Sequence, residues 1–215
     1  APPRNRDRHQ FGTLIDIPRN PLFDPRTGEA SPPDVRINGV RPAYQLGFSA
    51  DCQSVYVSSY SYSTRQRRIY RYELATGKET DLLTDAGDWA TGPSVSPDGR
   101  WLALHGKLDG GKEWDILLLS TAGGPLRMLD AQSLWGLSWT PDSKRLMYAR
   151  RVGMSEHGPV NELHWVAVEG GAPQPMGIRM PNAARPSLNP DGKRLLFSAS
   201  EGINEFWVLR NLPLK

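Results

Sequence analysis

Short apolar runs of six or seven residues recur along the chain between turn-forming sequences. Several are apolar at consecutive positions, as in DILLLS (115–120). They therefore lack the alternation of apolar and polar residues that a strand with one solvent-exposed face shows. Continuous apolar runs of this length are typical of strands buried on both faces. No stretch has the spacing of an amphipathic helix, so the pattern predicts an all-β protein. The other runs are SVYVSS (54–59), IYRYEL (69–74), WLALHG (101–106), RLMYAR (145–150), LHWVAV (163–168), RLLFSAS (194–200) and EFWVLR (205–210).

The turns between these runs repeat one another. PSVSPDGRWLAL (93–104) is matched by LSWTPDSKRLMY (137–148) and PSLNPDGKRLLF (186–197), and less closely by FSADCQSVYV (48–57). The turn aspartates, Asp51, Asp98, Asp142 and Asp191, are separated by 47, 44 and 49 residues. Gly77, Gly124 and Gly171 follow the first three aspartates by 26, 26 and 29 residues. Two landmarks in phase at this period predict propeller blades.

The turn residues have a structural explanation. Pro97 fixes the φ angle that suits the second position of a type I turn, and Asp98 accepts hydrogen bonds from nearby backbone N–H groups. Gly99 then adopts the positive φ that other residues resist. The equivalent residues in the other units are Asp51, Pro141, Asp142, Pro190, Asp191 and Gly192. We therefore interpret these residues as turn-formers and not as catalysts.

Each unit contains one strand before the turn, two after it and a short outer strand beyond the glycine. The units resemble the WD40-like (PD40) repeat of the periplasmic TolB propeller, over about residues 41–212. Similar repeats form the propeller domains of prolyl-oligopeptidase-type peptidases. The resemblance implies a β-propeller of four-stranded antiparallel blades, with four clear repeats.

Two interpretations of the chain ends stay open. Residues 41–215 are expected to form the propeller repeats, and residues 1–40 an N-terminal extension. Within it, FGTLIDIP (11–18) either supplies the missing outer strand of the last unit and closes the ring, or the extension forms a degenerate fifth blade. The alternative is an incomplete ring that a partner completes.

Composition excludes some classes of protein. The 26 Lys and Arg against 23 Asp and Glu give a net charge of only +3, which does not favour a nucleic-acid partner. Cys52 is the single cysteine, so no intrachain disulfide is predicted. No apolar run has the length of a membrane span. The opening APPRNRDRHQ, which lacks Met, suits a processed N-terminus and a periplasmic or extracellular location.

The sequence offers little for catalysis. It contains no Gly-x-Ser-x-Gly elbow, no P-loop and no dinucleotide fingerprint. SEHGPVNELHW (155–165) holds two histidines and two glutamates, but zinc needs three or four converging ligands. We therefore expect no enzyme activity, no metal and no cofactor.

The best binding candidates come from propeller geometry. The strand before each turn is expected to be innermost, and the segment leading into it opens near the axis. Arg41, Trp89, Trp135 and Arg185 fall there, and Trp and Arg are enriched in binding hot spots. The alternative is that both Trp side chains wedge between blades. The strand residues Trp101, Trp139, Trp165 and Trp207 are expected in the core.

The favoured hypothesis is a non-enzymatic β-propeller that binds a protein or peptide partner through axial-face loops, as an accessory subunit of a larger assembly. The alternative is a module that senses a small molecule or glycan within a signalling or transport protein. An enzyme with an axial carboxylate or metal cluster is a third hypothesis.

Overall fold

The protein is all-β throughout the part of the chain that the computed structural model describes, which is residues 22–23, 30–31, 46–61, 66–84, 89–107, 114–130, 133–200 and 204–210. Seventeen strands lie in these ranges. They are β1 (Leu22–Phe23), β2 (Ala30–Ser31), β3 (Leu46–Phe48), β4 (Ser54–Ser61), β5 (Gln66–Glu73), β6 (Glu79–Thr84), β7 (Trp89–Val95), β8 (Trp101–Lys107), β9 (Asp115–Ser120), β10 (Arg127–Asp130), β11 (Ser133–Trp139), β12 (Arg145–Ser155), β13 (Gly158–Ala167), β14 (Gln174–Pro181), β15 (Ala184–Leu188), β16 (Arg194–Ser200) and β17 (Asn204–Arg210).

The strands form four antiparallel blades in chain order. Blade 1 is β3–β6, blade 2 is β7–β10, blade 3 is β11–β14, and blade 4 has the three described strands β15–β17. The first strand of each blade contacts the first strand of the next. This arrangement confirms the predicted all-β propeller. Strands β1 and β2 form a separate two-stranded pair, whereas the predicted ring-closing strand 11–18 lies outside the described residues.

Neighbouring blades share three hydrophobic cores, and blade 2 shows why its strands are apolar on both faces. In β9, Leu117 and Leu119 are buried against blade 1, whereas Ile116 and Leu118 are buried against blade 3. Alternate side chains of a strand point to opposite faces. One short strand therefore contributes to two cores, which is what its continuous apolar run predicts.

Blade 4 differs because it packs against blade 3 only, among the described residues. Its other face carries Leu196, Phe206 and Val208, which are 43%, 77% and 56% exposed. They lie on one face because Leu196 is directly opposite Val208 and Phe206 is two residues from Val208. The structure thus leaves an apolar sheet face uncovered at this end of the described chain.

The tryptophan prediction holds for some positions and fails for one. Trp139 is buried between blades 2 and 3, and its indole N–H donates to the Ser94 carbonyl at 3.0 Å. Trp101 and Trp165 are half-buried. Trp207 is 41% exposed, so its assignment to the core was wrong. It lies on β17, the outermost described strand of blade 4, where it has neighbours on fewer sides.

Three of the four inner hairpins close with the same hydrogen-bond network, and blade 4 has Asn189 in place of the hydroxyl residue. In blade 2, the Ser96 hydroxyl donates to Asp98 Oδ1 at 2.6 Å and accepts from the Trp101 N–H at 2.9 Å. Asp98 Oδ1 also accepts from the Arg100 N–H at 3.1 Å. Ser49 with Asp51 and Thr140 with Asp142 repeat the hydroxyl–carboxylate pair at 2.6 Å. The aspartates therefore organise backbone amides.

The residue after each turn aspartate has positive φ, whatever its identity. Gly99 and Gly192 have φ of 73° and 71°, and Cys52 and Ser143 have φ of 57° and 60°. A side chain in this region costs about 1–2 kcal/mol relative to the right-handed region. Ser143 compensates, because its buried hydroxyl accepts a hydrogen bond from the Asp98 N–H at 3.0 Å. Cys52 is exposed, and no such contact is seen for it.

We predict that Cys52→Gly stabilises the fold by about 0.5–1 kcal/mol, because the relieved strain exceeds the entropy that glycine adds to the unfolded chain. Urea denaturation at neutral pH measures the change. Ser143→Gly is the matched control, since it relieves the same strain but removes the hydroxyl that Asp98 uses, and we expect no net gain. Equal gains in both variants would contradict this account.

The turn aspartates also predict loss of stability in acid. Partial burial alone would raise the pKa of Asp98, but hydrogen bonds from Ser96 and Arg100 outweigh it and lower the pKa to about 2, from 3.8. The unfolded chain then binds more protons between these values, so the stabilisation is complete above pH 4 and is lost as pH falls toward 2.

Asp98→Asn should therefore lower the free energy of unfolding at pH 7 and weaken its dependence on pH between 4 and 2. Denaturation curves across that range test the prediction. A variant whose pH dependence matches that of the wild type would show that Asp98 is not a source of the acid sensitivity.

Candidate functional site

The innermost strands begin on one face of the propeller, which we call the top face. On this face Ser133, at the start of β11, lies opposite Arg150 of β12, and the β12–β13 hairpin extends beyond it. The aspartate turns lie at the other ends of the innermost strands, on the bottom face. The top face therefore combines the inner-strand starts with the second hairpin of each blade.

Three innermost strands carry an irregularity at the same position, six residues before the turn aspartate. Gly92, Gly136 and Arg185 occupy it, with φ of 70°, 102° and 52°. Strand pairing shifts around each of them, as at a β-bulge. Two blades thus use glycine where backbone conformation demands it, and blade 4 uses an arginine.

Arg185 is exposed and lies close to Gly136 of the next innermost strand. A Cβ atom added to Gly136 would overlap the Arg185 Cα and lie 3.1 Å from its amide nitrogen. Non-glycine residues in the left-handed region cost free energy and persist where the surrounding structure holds them. Blade 4 therefore maintains a strained backbone that presents an arginine to solvent.

Hydrogen bonds fix the segment that leads to Arg185. The Asn182 side-chain amide donates to the His157 carbonyl at 3.1 Å and to the Ser200 carbonyl at 3.0 Å. The buried Asn161 side chain donates to the Ala183 carbonyl at 2.8 Å. These contacts join the tip of the β12–β13 hairpin, the β14–β15 connection and the end of β16. Arg185 is consequently held by two blades.

The other predicted site residues are placed less fully. Trp89 is the first residue of β7, and Trp135 is the third residue of β11, directly before Gly136. Their strands are described but their side chains are not, and Arg41 lies outside the described residues. Since Gly136 approaches Arg185, the structure brings the backbones of Trp135 and Arg185 together at the top face.

A buried histidine that sequence reasoning missed holds the β11 irregularity in place. His105 of β8 is 4% exposed, and its Nε2 accepts a hydrogen bond from the Gly136 N–H at 3.2 Å. Its Nδ1 lies 3.1 Å from the Ser133 hydroxyl and so carries the proton. Burial lowers the pKa of His105 to about 4, which keeps the ring neutral and able to accept. Its only sequence signal is one polar residue within an apolar strand.

A second polar cluster joins blades 2 and 3 near the top face. The Tyr148 hydroxyl donates to Asp130 across the blades, and buried Glu162 accepts from Arg179 at 3.1 Å. His164 lies 3.6 Å from Glu162, and both its ring nitrogens are buried without a hydrogen-bond partner. Burial lowers the pKa of His164, so this pair is not an ion pair at neutral pH. The cluster presents no reactive nitrogen to solvent.

No group of three His, Cys, Asp or Glu side chains in the described ranges is arranged to hold a metal ion. The residues singled out in 155–165 show why. His157 is near Glu156 on the exposed hairpin, whereas His164 is near Glu162 in the buried cluster. The two histidines therefore do not form one site.

Comparisons with known proteins agree on the fold. No family model matches the chain. It is 28% identical over 147 residues to an uncharacterized protein of Agrobacterium fabrum, a match that covers 66% of this chain and 48% of that protein. The chain thus spans about half the length of the curated relative it matches. No helix among the described residues is long and apolar enough to cross a membrane.

Solved structures agree on a β-propeller fold for the chain. A putative TolB from Agrobacterium tumefaciens aligns with a TM-score of 0.59 at 24% identity, over 77% of this chain and 57% of that chain. An oligogalacturonate lyase in complex with manganese aligns with a TM-score of 0.65 at 17% identity, over 87% of this chain and 55% of that chain. At these identities the likeness shows the fold alone.

The described residues can be tested for a site that would hold a metal such as manganese. No triad of suitable ligands is present, and Glu162, the buried carboxylate beside a histidine, already accepts hydrogen bonds from Arg179. The nearby arginines, Arg150 and Arg179, would also repel a cation. The residues that are described do not fit this metal.

The contact between Gly136 and Arg185 generates a stability prediction. Gly136→Ala should destabilise the fold by more than about 2 kcal/mol, because the new methyl group meets backbone that cannot move aside. Gly170→Ala is the control, since Gly170 has the same φ of 102° but nothing within 4 Å of the added atom. Thermal and urea denaturation of both variants isolate the contact. Equal losses would mean that φ alone explains the glycine.

Proposed function

We propose that this chain is a non-enzymatic β-propeller module that binds a protein or peptide partner on its top face. Arg185 carries the proposal, because the fold holds an exposed guanidinium at a backbone position where two other blades have glycine. Arginine is enriched in binding hot spots, and a backbone that is held in place beforehand lowers the entropy cost of ordering the segment on binding.

Trp135, Trp89 and Arg41 are proposed to complete the surface. Trp135 precedes Gly136, whose backbone approaches Arg185, and Trp89 begins the innermost strand of the preceding blade. A tryptophan and an arginine in one binding surface combine apolar contact area with a charged anchor. The likeness to TolB proteins supports a periplasmic or extracellular module within a larger assembly.

A glycan- or small-molecule-sensing module is the second candidate. The oligogalacturonate lyase likeness favours it, since the named substrate of that protein is a glycan and its propeller covers most of this chain. The two candidate functions differ in the kind of molecule that the top face binds. A sensing module would bind a small ligand as an isolated monomer, without a protein partner.

Affinity capture from native extract tests the proposed function, followed by affinity measurement with the purified partner. Arg185→Ala and Trp135→Ala should each weaken binding about tenfold or more, as hot-spot truncations do, with little change in melting temperature. Arg194→Ala is the matched control, because Arg194 is exposed in the same blade but lies beside the bottom-face turn. Wild-type affinity in both top-face variants would contradict the proposal.

A further inference from the structure

The β12–β13 hairpin of blade 3 extends past the core. Leu146 to Ala149 of β12 are buried, whereas Arg151 to Ser155 are exposed. Met154 is 71% exposed and Val152 is 41% exposed. Two hydrogen bonds from Asn182 anchor the hairpin. The Asn182 side chain donates to the His157 carbonyl at the hairpin tip, and the Asn182 backbone N–H donates to the Pro159 carbonyl at 2.8 Å. The hairpin is a fixed ridge on the top face.

Strand register shows which residues of the ridge face blade 4. Arg151 lies opposite Asn161 and Met154 lies opposite Pro159, two positions away on the same strand. Directly opposite and alternate residues share a face. The Asn161 side chain donates to Ala183 at the start of blade 4, so this face of the hairpin is directed toward blade 4. Arg151 and Met154 therefore lie on the side of the hairpin that faces the segment leading to Arg185.

The side chains of two arginines at this seam have no partner within the described ranges. Neither the Arg151 nor the Arg185 guanidinium makes a hydrogen bond or an ion pair there. Two other arginines of blade 3 near the top face have acidic partners. Arg150 lies near Asp130, and Arg179 forms an ion pair with Glu162. Glu156, at the hairpin tip, lies beside His157 at 3.5 Å. Among the described residues, the seam thus presents two arginines without a side-chain partner, and an exposed methionine lies further toward the hairpin tip.

We infer that the seam between the β12–β13 hairpin and blade 4 binds an acidic peptide segment of the partner, with carboxylates at Arg151 and Arg185 and an apolar side chain against Met154. Guanidinium groups pair with carboxylates through charge-assisted hydrogen bonds, and a flexible thioether adapts to varied apolar side chains. The inference rests on the proposed function and names the chemistry of its partner.

A peptide is favoured over a nucleic acid by the same surface. Binding to a phosphate backbone needs a continuous basic stripe, whereas the chain has a net charge of only +3. The exposed apolar residue of the hairpin, Met154, matches an amphipathic peptide better than a sugar–phosphate chain. Single-stranded DNA is therefore a contrasting probe in the test.

Fluorescence anisotropy with the full chain tests the inference, using labelled twelve-residue probes. One probe alternates Glu and Leu, one alternates Lys and Leu, one alternates Glu and Gly, and one is single-stranded DNA. The Glu–Leu peptide should bind most tightly and lose affinity in high salt. Arg151→Ala and Met154→Ala should each weaken its binding about fivefold to tenfold, and Arg194→Ala should leave it unchanged.

The outcomes separate the two proposals. A Glu–Leu probe that does not bind, or whose binding survives Arg151→Ala and Met154→Ala, overturns the inference. Tighter binding of DNA or of the Lys–Leu probe overturns it as well. If capture of the protein partner depends on Arg185 but not on Arg151 or Met154, the proposed function stands and the acidic-segment inference fails.

Discussion

The fold depends on sheets that bury both faces against neighbours. Leu117 and Ile116 are adjacent in β9 yet belong to different cores, so blade 2 cannot be stable without blades 1 and 3. Stability in such an array comes largely from the interfaces between repeats. The same packing brings the innermost strands together, and the approach of Gly136 to Arg185 is its result. The candidate site is therefore a product of the core packing.

Positive-φ residues at the two ends of the innermost strands have different roles. On the bottom face, Cys52 and Ser143 replace glycine in turns whose hydrogen bonds are complete. On the top face, Arg185 replaces glycine inside a strand, where a long charged side chain is exposed. Strain in a turn that has its own hydrogen bonds needs no ligand to explain it, whereas the strained backbone of the exposed Arg185 is the observation on which the proposed binding site rests.

The sequence predicted what depends on local chemistry. Four repeats of an all-β propeller were predicted from the turn aspartates, their spacing and the strands that are apolar on both faces. These signals are readable because turn geometry and strand burial each depend on about ten consecutive residues. The sequence did not predict the acceptor role of His105, which depends on a backbone amide 31 residues away. Trp207 was assigned to the core because its run resembles the others, and only tertiary packing distinguishes the edge of the last described blade. The sequence selected Arg185 as a binding candidate, but its backbone strain became visible only in the structure.

Blade 4 packs on one side among the described residues, and this has a consequence for local unfolding. A terminal repeat with one interface opens at a lower free energy than the repeats between two neighbours, and its amides exchange with solvent first. Arg185 belongs to that repeat, although Asn161 and Asn182 tie its segment to blade 3. A molecule that binds across this seam would bind only the closed form and so shift the equilibrium away from local opening. Occupancy of the top face would then be reported by slower amide exchange in β16, the strand that pairs with β15.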